Sequence, residues 1–465
     1  MRTQSLAVLV FAVASAFPLG GVDAQERPGN DGESLRHPRW RVPTILDVAQ
    51  ERLAREIARQ RARRKTFVPV QPVPVVTDDW VFMRTPRRLI AVDNETGKRR
   101  WELPWRDPAA EDGLSDGSKL ELRLWHDAVF ADLTVGGGLL LVLDKVPVPN
   151  FPRPRGLFVA AGDEPSLPAN ELVALDIASQ GKLAWIAGGE ERDDDKTSGM
   201  MFLGTGLYRN GKLFTLAVSD NALWVVQLAA ERGRRQWRLK IAGLAKGAPA
   251  GQAVPLRLGG ARPVLIDNLL ICPTSLKRIV AVDVEKREVA WEFSYEDPFF
   301  QRYPPPPSRR WKPGPWIDNG VYSADGGTVI VTPLDDDNVY ALNAATGEKR
   351  WQREAGEARL AVVEGNTVLL VGVQQIAGYD ATSGEPLWDQ RVIELPEEHV
   401  VSGRGAFHQG RYLIPTTGKQ LLVIDVKAGK IAARVETPDV LGNLRVRGDY
   451  LYSQSIEHLS KYRWR

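Results

Sequence analysis

The chain has 465 residues, 43% apolar and 26% charged, enough to bury a core and too hydrophobic to stay disordered. The net charge is +3, and an excess of +5 falls within residues 25–65, so the body is nearly neutral and carries no electrostatic footprint for nucleic acid. The single cysteine, Cys272, excludes an intrachain disulfide, a multi-cysteine zinc site and CxxC redox chemistry.

Residues 1–24 read as a secretory signal. Arg2 gives a positive start, Leu6–Phe17 is an apolar run too short to span a bilayer comfortably, and cleavage is expected near Ala24. No later apolar stretch reaches membrane-spanning length. The mature chain is therefore expected outside the cytoplasm, in the periplasm or secreted, without a transmembrane segment.

Residues 25–43 are rich in Pro, Gly and Arg and read as a flexible linker. Residues 44–65 read as one basic amphipathic helix, with Thr44 as cap, Ala49, Leu53 and Ile57 as an apolar stripe, and Arg59 to Lys65 loading its C-terminal end. Such a helix either lies on the body of its own protein or meets a membrane or acidic partner. Pro69, Pro72 and Pro74 then impose an extended segment.

From residue 89 onward a motif recurs seven times, at 89–101, 172–185, 223–237, 279–291, 339–351, 376–388 and 421–433. An apolar strand runs through a small or β-branched residue to Asp, Asn or Gln. A polar turn follows, and a second strand ends in Trp. Asp93, Asp176, Asp283, Asn343, Asp380 and Asp425 suit the turns because a short carboxylate or amide accepts nearby backbone N–H groups. Gly97, Gly347, Gly384 and Gly429 suit the positive φ that such turns need. Trp101, Trp185, Trp237, Trp291, Trp351 and Trp388 recur at one place, which Ala433 fills in the last motif. Burying one indole there is worth roughly 2–3 kcal/mol, enough to fasten each unit to its neighbour.

Two more short strands precede each motif, so each unit has about four antiparallel strands. Units of this kind are the blades of a β-propeller. The expected architecture is all-β: eight four-stranded blades over residues 66–465, with seven as the alternative, preceded by one N-terminal helix. Irregular motif spacing implies inserted loops near 103–119, 145–170 and 296–314. Residues 443–464 supply only three strands of the last blade, and Val68–Val76 is the expected donor of the fourth, because closure removes two sheet edges.

The pattern A-x-D-x-x-T-G-x-x-x-W, intact at 91–101, resembles the tryptophan-docking motif of PQQ-like propeller repeats. These repeats occur in quinoprotein alcohol dehydrogenases and in the outer-membrane assembly lipoprotein BamB. Segments such as 86–105, 268–291 and 443–454 look like secreted PQQ-like repeat proteins of planctomycete-type bacteria. The resemblance implies the propeller fold over about 400 residues and says less about activity. Two departures count against the known functions. The vicinal cysteine pair of the dehydrogenases and the N-terminal lipidated cysteine of BamB both need cysteines this chain lacks.

Other candidate chemistry is sparse. No histidine pair has metal-ligand spacing. Trp125-His126-Asp127 is the one suggestive cluster. Asp335-Asp336-Asp337-Asn338 reads as a hairpin turn rather than a calcium loop, and Asp193-Asp194-Asp195 as a solvated loop. Arg309-Arg310-Trp311 reads as exposed loop. The expected function is a non-catalytic extracytoplasmic scaffold that acts as a monomer and binds a protein or envelope component. No catalytic or metal residues and no cofactor are expected. The alternative is a quinoprotein oxidoreductase holding PQQ and Ca²⁺.

Overall fold

Each polar turn folds around its own carboxylate or amide. In the computed structural model, which describes residues 35–104, 116–147, 169–190, 196–244, 259–295, 314–390 and 392–464, Asp93 Oδ1 accepts from Thr96 N at 2.8 Å and Asp380 Oδ1 from Ser383 N at 2.8 Å. Asn343 does the same for Ala345 and Thr346. The backbone closes behind it, with Gly97 N donating to Asp93 O at 2.9 Å and Gly347 N to Asn343 O at 2.8 Å. These glycines have φ near +70°, which glycine adopts without strain. In the fourth motif Arg287 takes the same turn at φ +62°.

The strand pairs built on these turns join into eight antiparallel sheets, seven of four strands and one of five. Blade 1 holds Val75–Val76, Trp80–Arg84, Arg88–Asp93 and Arg99–Pro104. Blades 2 to 7 follow in sequence at 133–188, 201–243, 264–294, 320–354, 358–394 and 406–436. The eight-bladed form holds and the seven-bladed alternative falls.

Blade 8 combines Asn443–Arg447, Tyr450–Gln454 and His458–Arg463 with Trp40–Pro43, which pairs antiparallel to His458–Arg463. Closure by the N-terminus is therefore observed, but the donor is not Val68–Val76. It comes from the segment read as a flexible linker. Proline explains the exchange: Pro69, Pro72 and Pro74 remove three ladder donors from 68–76, whereas Trp40-Arg41-Val42 can pair. Val75–Val76 instead forms the first strand of blade 1.

Eight apolar clusters hold the ring, each formed between two adjacent blades. The one joining blade 8 to blade 1 contains Trp40, Val42, Tyr452 and Leu459 against Val81, Met83, Ile90 and Val92.

The helix spans Val48–Arg63, and its cap is Asp47 rather than Thr44. Asp47 accepts from Gln50 N at 2.9 Å, while the Thr44 hydroxyl bonds Ile456 O of blade 8. Its buried residues are Gln50 and Ala54, one residue round from the expected stripe; Ala49 is exposed. The helix lies on its own protein, packed with Val70, Leu120, Leu124 and Trp125. The last three belong to a helical insert between blades 1 and 2 (Gly117–Glu121, Leu122–His126 and Ala128–Ala131), which begins at the end of the loop expected near 103–119 and runs beyond it.

Segments 1–24, 193–195 and 309–311, read above as a signal and two loops, lie outside the described residues.

Candidate binding sites at the propeller axis and the helix groove

The six sequence-predicted tryptophans lie in the outer parts of blades 1 to 6 and do not form one site. Four dock alike. Trp185 Nε1 donates to Ala230 O, Trp291 to Ala344 O, Trp351 to Ala381 O and Trp388 to Val426 O, at 2.7–3.0 Å. Each ring covers a turn glycine of the next blade, so a Cβ on Gly347 would stand 2.4 Å from the Trp291 ring. Trp101 covers Gly181, but its Nε1 is buried without a hydrogen bond. Trp237 faces the blade that carries Arg287, and it bonds Gln227 Oε1 of its own blade at 2.8 Å. Gln227 is thus not the turn residue of the third motif. That place belongs to Ala229, whose carbonyl closes the turn to Gly233.

A further docking tryptophan, Trp40, was missed. Its Nε1 donates to Asn94 O at 2.9 Å and its ring covers Gly97. Asn94 also receives Tyr452 Oη at 2.7 Å and the Lys461 ammonium at 3.0 Å. The signal was available: blade 8 lacked a fourth-strand tryptophan, and Trp40 stands beside Val42 in a short alternating run.

Asp93, Asp176, Asp283, Asp380 and Asp425 all serve turns, and none faces the axis. The turn N–H of Thr96 holds Asp93 well below the usual carboxylate range, and that of Lys286 lowers Asp283. Burial works against Asp380, yet its bonds from Ser383 bring it down as well.

Of the other candidates, Asp127 is buried in an ion pair with Arg123, and Arg123 also bonds Val146 O at 2.9 Å. Desolvation by the packed insert, then the Arg61 guanidinium, pull His126 down to about 4. The Asp127 carboxylate is committed to Arg123 and to Phe130 N. In the acidic turn, Asp335 accepts from Tyr295 Oη and Lys277 N, and Asp336 from Asn338 and Tyr340. Asp335 thereby ties the turn to blade 4, and Asp336 closes it locally. Cys272 is fully buried in blade 4, and burial pushes its thiol up.

The axis is where charge collects. A cavity of about 470 Å³ is walled by the innermost segments of the blades and by Gln71 and Val73. Segment 67–73 lies across one end of it. Gln71 Nε2 donates to Trp125 O and Ile317 O, Arg404 donates to Gln71 Oε1 at 3.0 Å, and Asn443 Nδ2 donates to Val70 O and Pro72 O. The prolines that bar this segment from a sheet edge leave its carbonyls free for these bonds.

Two carboxylates line the cavity, and arginines hold both. Asp132 pairs with Arg262 at 2.6 Å and accepts from Thr205 N and Oγ1. Asp318 takes both guanidinium nitrogens of Arg404, one at 2.7 Å. Burial opposes ionisation of Asp318, but Arg404, Arg262 and Arg445 keep it below the usual range. Arg445, from the first strand of blade 8, has no carboxylate partner among the described residues. Burial, then Arg262 and Arg404, lower it to about 10, so it stays charged at neutral pH.

A second concavity, about 530 Å³, lies between the helix and blades 7 and 8. Ala58, Ala62, Val68, Val70, Leu441 and Ile456 give it apolar walls, and Arg59, Arg63 and Lys419 reach its rim.

Eight blades, joined at six of their eight interfaces by a tryptophan over a turn glycine, define a PQQ-like repeat propeller. The family described as outer membrane protein assembly factor BamB matches residues 40–292 and 277–449, and the chain belongs to that family. Similar solved structures include BamB from Moraxella catarrhalis, 12% identical with a TM-score of 0.50 over 85% of this chain and 96% of that one. A quinohemoprotein alcohol dehydrogenase from Pseudomonas putida HK5 is 13% identical, with a TM-score of 0.51 over 84% and 73%. A europium-containing methanol dehydrogenase is 12% identical, with a TM-score of 0.53 over 92% and 86%. At these identities the likeness is one of fold. No curated protein sequence matches the chain.

Proposed function

We propose that the chain is an extracytoplasmic, monomeric, non-catalytic propeller that binds a protein partner of the cell envelope, and that the groove beside the helix receives it. The family supports a partner-binding role. The observation that carries the reading is the groove's chemistry: apolar walls with Arg59 and Arg63 at the rim, neither with an ion-pair partner among the described residues. The neighbouring carboxylates are already taken, Glu457 by Arg55 and Asp439 by Arg41. An occupant is therefore a peptide segment with apolar residues and its own carboxylates. Among the described residues no helix is long and apolar enough to cross a membrane, which agrees with a chain that works beside an envelope component.

A photocrosslinker at Ala62 should capture one envelope protein that the same probe at Glu231, in an exposed turn of blade 3, does not. Reversing charge at Arg59 and Arg63 should abolish the adduct. Equal capture from both positions, or an adduct indifferent to the reversal, would sink the reading.

We also propose that PQQ and Ca²⁺ are not resident cofactors. The described axial residues do not fit the pair: Asp132 and Asp318 are bound to arginines, and the aromatic side chain among them is Tyr322. Protein incubated with both and passed through gel filtration should retain no quinone absorbance.

A further inference from the structure

The axial cavity has a charge left over. Asp132 and Asp318 neutralise Arg262 and Arg404, and Arg445 stands beyond both pairs, so the five ionised groups sum to about +1 at neutral pH. Arg445 keeps solvent-accessible surface within the ring of blades, so its head is wetted by the cavity. Around these polar groups the wall is apolar, with Val73, Leu207, Val264, Leu360 and Val362. The volume, about 470 Å³, is that of a small-molecule site.

We propose that this cavity binds one small organic monoanion, a carboxylate with an apolar body, whose charge is met by Arg445 and whose body lies on the aliphatic wall. A single carboxylate matches the single uncompensated charge. A dianion carries one charge more than Arg445 answers, and a neutral ligand forgoes the charge-assisted pair. Segment 67–73 contributes Gln71 and Val73 to its wall.

The test is calorimetric titration of the full chain with hexanoate and with phenylacetate, against hexanamide as the neutral counterpart and sulfate as the compact dianion. The carboxylates should bind at least tenfold more tightly than hexanamide and than sulfate. Arg445→Gln should weaken hexanoate at least tenfold. Arg447→Gln, on the same strand but paired outward with Asp78, should leave it unchanged. The melting temperature guards against misfolding: Arg445→Gln should melt with the parent, because Arg445 keeps exposed surface and forms no ion pair among the described residues. Reversing charge at Arg59 and Arg63 should leave hexanoate binding intact, which separates this site from the partner groove. Absence of carboxylate binding, equal binding of hexanamide, or full affinity in Arg445→Gln would each overturn the proposal.

Discussion

Trp388 and Trp351 hold equivalent places in their blades but differ in burial, and that difference sets what each is worth. Trp388 is 5% exposed and donates to Val426 O, while Trp351 is half-buried. Trp388→Ala should cost about 3–5 kcal/mol in chemical denaturation, the usual range for a buried large aromatic. Trp351→Ala should cost clearly less, and an equal loss would mean that the indole hydrogen bond outweighs ring burial. Arg287 offers the opposite test. It takes a turn at φ +62°, where its six counterparts in the other motifs are glycines. A left-handed non-glycine residue is strained by roughly 1–2 kcal/mol, and glycine's greater chain entropy returns part of the gain. Arg287→Gly should therefore raise stability by up to about 1 kcal/mol.

The Asx turns give the ring a pH dependence whose sign follows from their carboxylates. Asp93, Asp283 and Asp380 all titrate below their ordinary range. A group depressed in the folded state lends stability that is complete above its unfolded pKa. That stability is lost as pH falls through the folded value. Acid unfolding, followed by tryptophan fluorescence, should therefore begin below about pH 4. Asn343 makes the same turn bonds without titrating, so combined Asp283→Asn and Asp380→Asn should flatten the acid limb while leaving neutral stability nearly unchanged. A variant with the parent's acid limb would place the pH sensitivity elsewhere.

These turns also show what sequence can convey. A turn is local chemistry: carboxylate, N–H groups and glycine lie within five or six residues, so the repeat and its blades could be read directly, while the choice between eight blades and seven waited on how 443–464 pairs. The closing strand could not, because Trp40 meets Lys461, 421 positions away, and four residues carry little pattern of their own. The proline-rich run 68–76 has the stronger extended signature, and its missing N–H groups send it across the axis instead. The insert at 117–131 is made of helices of four or five residues, too short for periodicity to register. The axial charges were unreadable for another reason. Asp132, Arg262, Asp318, Arg404 and Arg445 stand at unrelated spacings outside the repeated motif, and only closure of the ring brings them to one cavity.

For the molecule as a whole, the joint between blades 8 and 1 differs from the other seven in being made by the two ends of the chain. Removing residues 35–43 should therefore do more harm than the loss of four strand residues suggests. It exposes the edge of His458–Arg463, strips Trp40 from Gly97 and leaves part of the blade 8–1 cluster in water. The truncated chain should melt well below the parent and show faster amide exchange at 458–463 and 88–93. A parent-like melt would mean that side-chain packing between blades 8 and 1 suffices without the strand.

The same joint has a consequence for how the protein is made. Trp40–Pro43 leaves the ribosome some 400 residues before its mate at 458–463. At ordinary elongation rates the early strand waits tens of seconds, unpaired, while some 400 residues follow it. The ring thus acts as its own proofreader for length. A product that stops short of the last blade cannot engage its beginning, and it keeps two raw sheet edges that quality-control proteases and chaperones can recognise.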